Sequence, residues 1–174
     1  MPTYAGKRVN ADWKTVLEAA HDANVAFTLN SGQRTLAEQW KLYRQNMSGG
    51  RPRPGHALTA FPSPNAPHIR RNHAIDVDSR NGGARRLAAW LRSHGVHPAF
   101  PVTYEPWHMV VPPVELARFA AAIRAASRSR ARSEAAYRGE LTQAYKDRAR
   151  QTRASRVGFF NRRIQAIKRR LRRY

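Results

Sequence analysis

Four side chains in two short stretches have the types that a hydrolytic metal site needs. His68 and Asp76 lie in "APHIRRNHAIDVDS", residues 66–79, and Glu105 and His108 lie in "YEPWHMVV", residues 104–111. A catalytic zinc takes three protein nitrogen or oxygen ligands and keeps one position open. The chain has no cysteine, so its metal ligands must come from His, Asp and Glu. A nearby carboxylate can then move the proton of the attacking water to the leaving group. Asp76 is flanked by Ile75 and Val77, and an aspartate inside an apolar strand needs a partner if it is buried. Pro106 pushes Glu105 towards an extended conformation. Taken singly, His68 reads as a loop histidine, Glu105 as a turn cap and Trp107 as a core aromatic.

The surrounding elements must hold these residues. "NADWKTVLEAAHDAN", residues 10–24, opens on a cap signal and repeats Trp13, Val16, Leu17 and Ala20 at helical spacing. "VAFTLNSG" reads as a short strand stopped by Asn-Ser-Gly. "TLAEQWKLYRQNM" reads as a helix capped by Thr35, with Glu38 completing a capping box and Leu36, Trp40 and Tyr43 as its apolar face. Residues 48–68, rich in proline and glycine, predict a long shaped loop. "HAIDVD" predicts a strand, "GGARRLAAWLRSHGV" a helix ended by Gly95, and Trp107 to Val111 a further strand. Residues 113–154 predict one or two long helices. The expected fold class is α+β: a small antiparallel sheet with flanking helices, followed by a C-terminal helical extension.

Three segments, in order, resemble the D-alanyl-D-alanine carboxypeptidase group, the VanY-like zinc peptidases found in many phage endolysins. "SGQRTLAEQWKLY" is similar to that family's Ser-Gly-x-Arg segment and the helix after it. "HIRRNHAIDVD" is similar to its His…Gly-x-Ala-x-Asp segment, and "EPWHMVV" to its Glu-x-x-His segment. The similarity covers about residues 8–112. It implies a peptidase domain over residues 1–124, with His68, Asp76 and His108 as zinc ligands and Glu105 as general base and acid. It also implies that Arg34 binds a substrate carboxylate or the developing oxyanion, which suits a guanidinium in a water-poor cleft. Seven residues separate His68 from Asp76, one more than is usual in the family, and Asn72 stands where glycine is usual. His56 and His73 therefore stand as alternative first ligands. His73 is disfavoured, because three positions before Asp76 on a strand it would face the other way.

The resemblance is silent on residues 125–174, which carry 16 basic and 3 acidic side chains out of 32 and 11 in the chain. A block of net +13 calls for an anionic partner: a cell envelope, a membrane surface or a nucleic acid. Nucleic acid is the least favoured, since no recognition motif appears and the tail has few aromatics. The stripe Phe160, Ile164, Ile167, Leu171 and Tyr174 predicts an amphipathic last helix whose apolar face could lie at an interface. No apolar run reaches eighteen residues, so no transmembrane helix is expected. The N-terminus has no apolar signal region. The expectation is a monomeric peptidoglycan hydrolase, made in a host cytoplasm and acting at the bacterial wall. The competing class is a cationic binding protein with an inactive peptidase-like domain.

Overall fold

The computed structural model describes residues 2–55, 59, 61–66, 68–69, 73–101, 105–150 and 157–173. His56, Asn72 and Tyr174 lie outside the described residues. The chain is mixed α and β and divides into two compact units, residues 1–123 and 124–174.

The first unit opens with a hairpin that the residues did not announce, β1 (Thr3–Tyr4) against β2 (Lys7–Arg8). Its turn, Ala5–Gly6, has both residues at positive φ. That geometry matches the twist of a two-residue hairpin, but it is seldom signalled by alanine. Helix α1 (Ala11–Asp22) follows, and the Asn10 side chain accepts from the backbone N–H of Trp13 at 2.6 Å. Strand β3 (Leu29–Ser31) leads to α2 (Leu36–Asn46), where Thr35 and Glu38 form the expected capping box. A second hairpin, β4 (Met47–Ser48) and β5 (Arg51–Pro52), opens the proline-rich stretch. Then come β6 (Ala74–Val77), α3 (Gly83–Ser93), β7 (His108–Val110) and α4 (Pro113–Arg150).

The sheet that matters is antiparallel, in the order β3-β6-β7. Successive residues of a strand point to opposite faces. Ile75 and Val77 join Met109, Leu29 and Val111 in the core, together with Trp13, Val16, Leu17 and Ala20 of α1, Leu87 and Leu91 of α3, and Leu116 and Ala120 of α4. Asp76 is left on the opposite face. The three helices thus anchor one side of the sheet and leave the other to carry polar side chains.

Two expectations need correction. The apolar face assigned to α2 is not in this core. Leu36 and Trp40 are exposed, and Gln39 is the buried residue of that helix. Trp40, Tyr43 and Phe61 pack edge to face, with centroids 5.4–6.1 Å apart. Trp107 is only half-buried and is not among the core residues.

The second unit is built from the continuation of α4 and from α5 (Val157–Leu171). Ile164 and Ile167 are buried with Ala144, and Tyr137, Leu141 and Leu171 pack around them. The Arg170 guanidinium lies over the Tyr137 ring at 6.0 Å. Ile164, Ile167 and Leu171 of the α5 stripe are therefore packed against α4 within this unit. Among the described residues, no helix is long and apolar enough to cross a membrane.

Candidate metal centre

The register of the sheet builds half of the site. Asp76 on β6 pairs directly with His108 on β7, so their side chains rise from the same face a few ångströms apart. His108 also closes a tight turn: its backbone N–H donates to the Glu105 carbonyl at 2.9 Å, with Pro106 inside the turn. Glu105 and His108 are thereby fixed to each other through four residues of backbone.

The other half comes from the Ser31–Arg34 segment after β3. The His68 Nδ1 lies 2.8 Å from the Gly32 carbonyl oxygen. A carbonyl only accepts, so Nδ1 carries the hydrogen and Nε2 presents a lone pair. The Arg34 backbone N–H donates to the His68 carbonyl at 3.1 Å, a second tie to the same segment. Gly32 has to be glycine: a Cβ there would sit 2.1 Å from the Arg8 carbonyl oxygen and 2.8 Å from Val9. Gly32→Ala should therefore push the β2 backbone away, at a cost of about 1–3 kcal/mol for overpacking, and shift the carbonyl that orients His68. Thermal unfolding and metal titration of that variant check both effects. An unchanged melting temperature with unchanged metal affinity would refute them.

Three donor atoms converge. His68 Nε2 lies 3.1 Å from His108 Nδ1 and 3.3 Å from Asp76 Oδ1, and His108 Nδ1 lies 3.0 Å from Asp76 Oδ1. All three residues are buried, each about 8 % exposed. A tetrahedral ion bound at about 2.0–2.1 Å needs donors roughly 3.3–3.4 Å apart. The observed triangle is that size, slightly contracted. Two imidazoles and one carboxylate suit a first-row transition ion, zinc and iron(II) among them. The Nδ1–H of His68 on a backbone carbonyl is the outer hydrogen bond that fixes the ring of a metal-ligating histidine. Among the described residues this is the one group that could hold a metal ion.

The outer oxygen of Asp76 is held as well. Arg34 Nη2 donates to Asp76 Oδ2 at 3.0 Å and to Ser31 Oγ at 2.6 Å, while Nη1 donates to Gln39 Oε1 at 3.3 Å. This explains the buried glutamine of α2, which steadies the guanidinium that steadies the ligand. Burial alone would raise the Asp76 pKa, but hydrogen bonds from His108 and His68 and the charge of Arg34 outweigh it. The carboxyl is held well below its ordinary value and stays ionised, as a metal ligand must be.

Of the residues singled out in the sequence, His68, Asp76 and His108 come together, and Arg34 touches the cluster through Asp76. Glu105 is half-buried at the near end of the His108 turn and is not one of the three converging donors. His73 adjoins β6, where its carbonyl accepts from Val111, and it too is outside the cluster. Reading the sequence missed Ser31, Gln39 and the Gly32 carbonyl. Gln39 could have been found, since glutamine is the wrong residue to bury on a helix unless it has a partner. Compared with family models, curated proteins and solved structures, the chain matches none.

Proposed function

We propose that this chain is a zinc-dependent peptidoglycan hydrolase that cleaves a peptide bond of the wall's stem peptide or cross-link, as a carboxypeptidase or as an endopeptidase. One observation carries the reading. The three residues that converge as a buried His-Asp-His triangle are those that match the ligand positions of the VanY-like peptidases in order and type. Zinc held by His68, Asp76 and His108 would supply a Lewis acid and bring a water's pKa towards about 7. In this reading Glu105, three residues before His108, takes the proton of the attacking water and returns it to the departing amine. Arg34 is a positioning residue: it fixes Asp76 from behind, and its remaining N–H groups are available to a carbonyl or carboxylate of the substrate.

Purified protein should carry about one zinc per chain, as a three-ligand mononuclear site requires. His68→Ala should lose it and His73→Ala should keep it. Metal analysis showing the reverse would remove His68 from the site. Arg34→Lys should weaken zinc binding by about tenfold or more, as loss of an outer partner typically does, because one ammonium cannot span Ser31, Gln39 and Asp76 at once. Competition with a chelator of known affinity measures this. Mass spectrometry of digested peptidoglycan tests the activity itself and identifies the bond.

A second reading has its own support. Net +13 on residues 125–174 fits a binding protein whose first unit is inert. Wall digestion that is absent with the zinc-loaded chain, while wall binding persists, would decide for it.

A further inference from the structure

An open cleft of about 460 Å³ lies along the Ser31–Arg34 segment, bounded by the β1–β2 hairpin and by α2. Two of its lining residues also back the metal centre: the Gly32 carbonyl orients His68, and Arg34 holds Asp76, while none of the three donor residues lines the cleft itself. The lining carries Lys7, Arg8, Arg34 and Lys41 against one carboxylate, Glu38. Two of the four cations are already engaged. Arg8 is paired with Glu38 and Arg34 with Asp76. Lys7 and Lys41 are exposed, and among the described residues neither meets a carboxylate. Asn30 and Gln45 add neutral hydrogen-bonding groups.

The segment is not cationic by accident of the tail, since every lining residue belongs to the first unit. Two uncommitted ammonium groups lining one cleft attract a small anion. Both lysines come from elements that are themselves pinned: Lys7 from a hairpin joined to the site segment through Gln33 N–H to Arg8 carbonyl at 2.7 Å, and Lys41 from the helix whose Gln39 holds Arg34.

We infer that this cleft is the subsite for an acidic residue of the peptide substrate, with Lys7 and Lys41 receiving its free carboxylate. The inference rests on the peptidase reading and adds to it the charge of the preferred substrate. A peptide whose side carboxyl has been converted to the amide should bind less well, because it forfeits both charge-assisted contacts.

Binding can be separated from chemistry by using the full chain with its metal stripped. The probes are two synthetic tetrapeptides, L-Ala–γ-D-Glu–L-Lys–D-Ala with the free α-carboxylate on the second residue, and the same peptide with that carboxylate as the carboxamide. In low salt, calorimetric titration should show the acid bound about tenfold more tightly than the amide, an amount that two partly exposed ion pairs can supply. The Lys7→Gln/Lys41→Gln double variant should bind the two peptides equally, and Lys7→Arg/Lys41→Arg should restore the preference. The cationic tail is the same in all three proteins, so it cannot produce the difference. Equal binding of acid and amide by the native chain overturns the proposal, and so does a preference that survives in the double glutamine variant. If inorganic phosphate displaces the acid peptide at concentrations well below the peptide's own Kd, the cleft is a phosphate site and the acidic-peptide assignment is wrong. Hydrolysis by the zinc-loaded chain is followed separately. Cleavage without a preference sinks the cleft assignment alone, whereas a lysine-dependent preference without cleavage leaves the cleft standing and sinks the peptidase reading.

Discussion

Glu105→Ala should lower peptidoglycan hydrolysis by about a hundredfold to ten-thousandfold, the usual cost of losing a general base, and leave the zinc content unchanged. The two outcomes come apart because of where the residue sits. The three donors that converge are His68 Nε2, Asp76 Oδ1 and His108 Nδ1, and Glu105 is not among them. Its backbone, however, is locked to His108 by the turn through Pro106 and Trp107. That tie keeps the Glu105 backbone beside His108 while its carboxylate is not one of the converging donors, which is what the proposed proton-handling role asks of it. Glu105→Gln should fall almost as far, since an amide of the same shape cannot accept a proton at neutral pH. Turnover of purified wall by either variant at near the native rate would end this mechanism. Loss of zinc from Glu105→Ala would instead make Glu105 a ligand or a structural support.

The place of Asp76 could be read from residue types because it is carried by periodicity, whereas His68 and His108 were singled out by the resemblance of their segments. The alternation Ile75, Asp76, Val77 states that one polar side chain opposes two apolar ones, and the core confirms it: Ile75 and Val77 are fully buried with Met109 while Asp76 faces His108. Helix α1 was equally legible, since Trp13, Val16, Leu17 and Ala20 all fall on its buried face. What periodicity could not convey was α2. Its aromatic residues line up at helical spacing, yet their partner is Phe61 from the proline-rich stretch rather than the core. The buried Gln39 serves Arg34. Long-range pairing of this kind leaves no local trace. The close approach of Gly32 to the Arg8 carbonyl is a further case, because it depends on a hairpin whose Ala5–Gly6 turn has an uncommon sequence.

Removing residues 124–174 should abolish attachment to intact cell walls and anionic vesicles while sparing the cleavage of small soluble muropeptides. The cut falls after Ile123, so the part of α4 that seals the first core, Leu116, Phe119, Ala120 and Ile123, is retained. The structure also bears on the manner of attachment to expect. Read alone, the stripe of α5 suggests an apolar face free to enter a membrane. Phe160, Ile164 and Ile167 are in fact buried, the two isoleucines against the second half of α4. What the unit presents outward is its charge, with Arg162, Arg163, Arg169, Arg172 and Arg173 exposed along α5 and at its end. Binding should therefore be electrostatic. It should require anionic lipid or wall polymer, should be negligible on zwitterionic vesicles, and should weaken steeply as salt shortens the Debye length from about 10 Å at 0.1 M to about 3 Å at 1 M. Sedimentation of the full and truncated chains with walls and with both kinds of vesicle, at low and high salt, measures all of this. Attachment that persists at high salt or on zwitterionic vesicles would mean that the α4–α5 pair opens and inserts its apolar seam. Equal sedimentation of the truncated chain would place the binding surface in the first unit, where the Lys7–Lys41 cleft is one cationic feature to test.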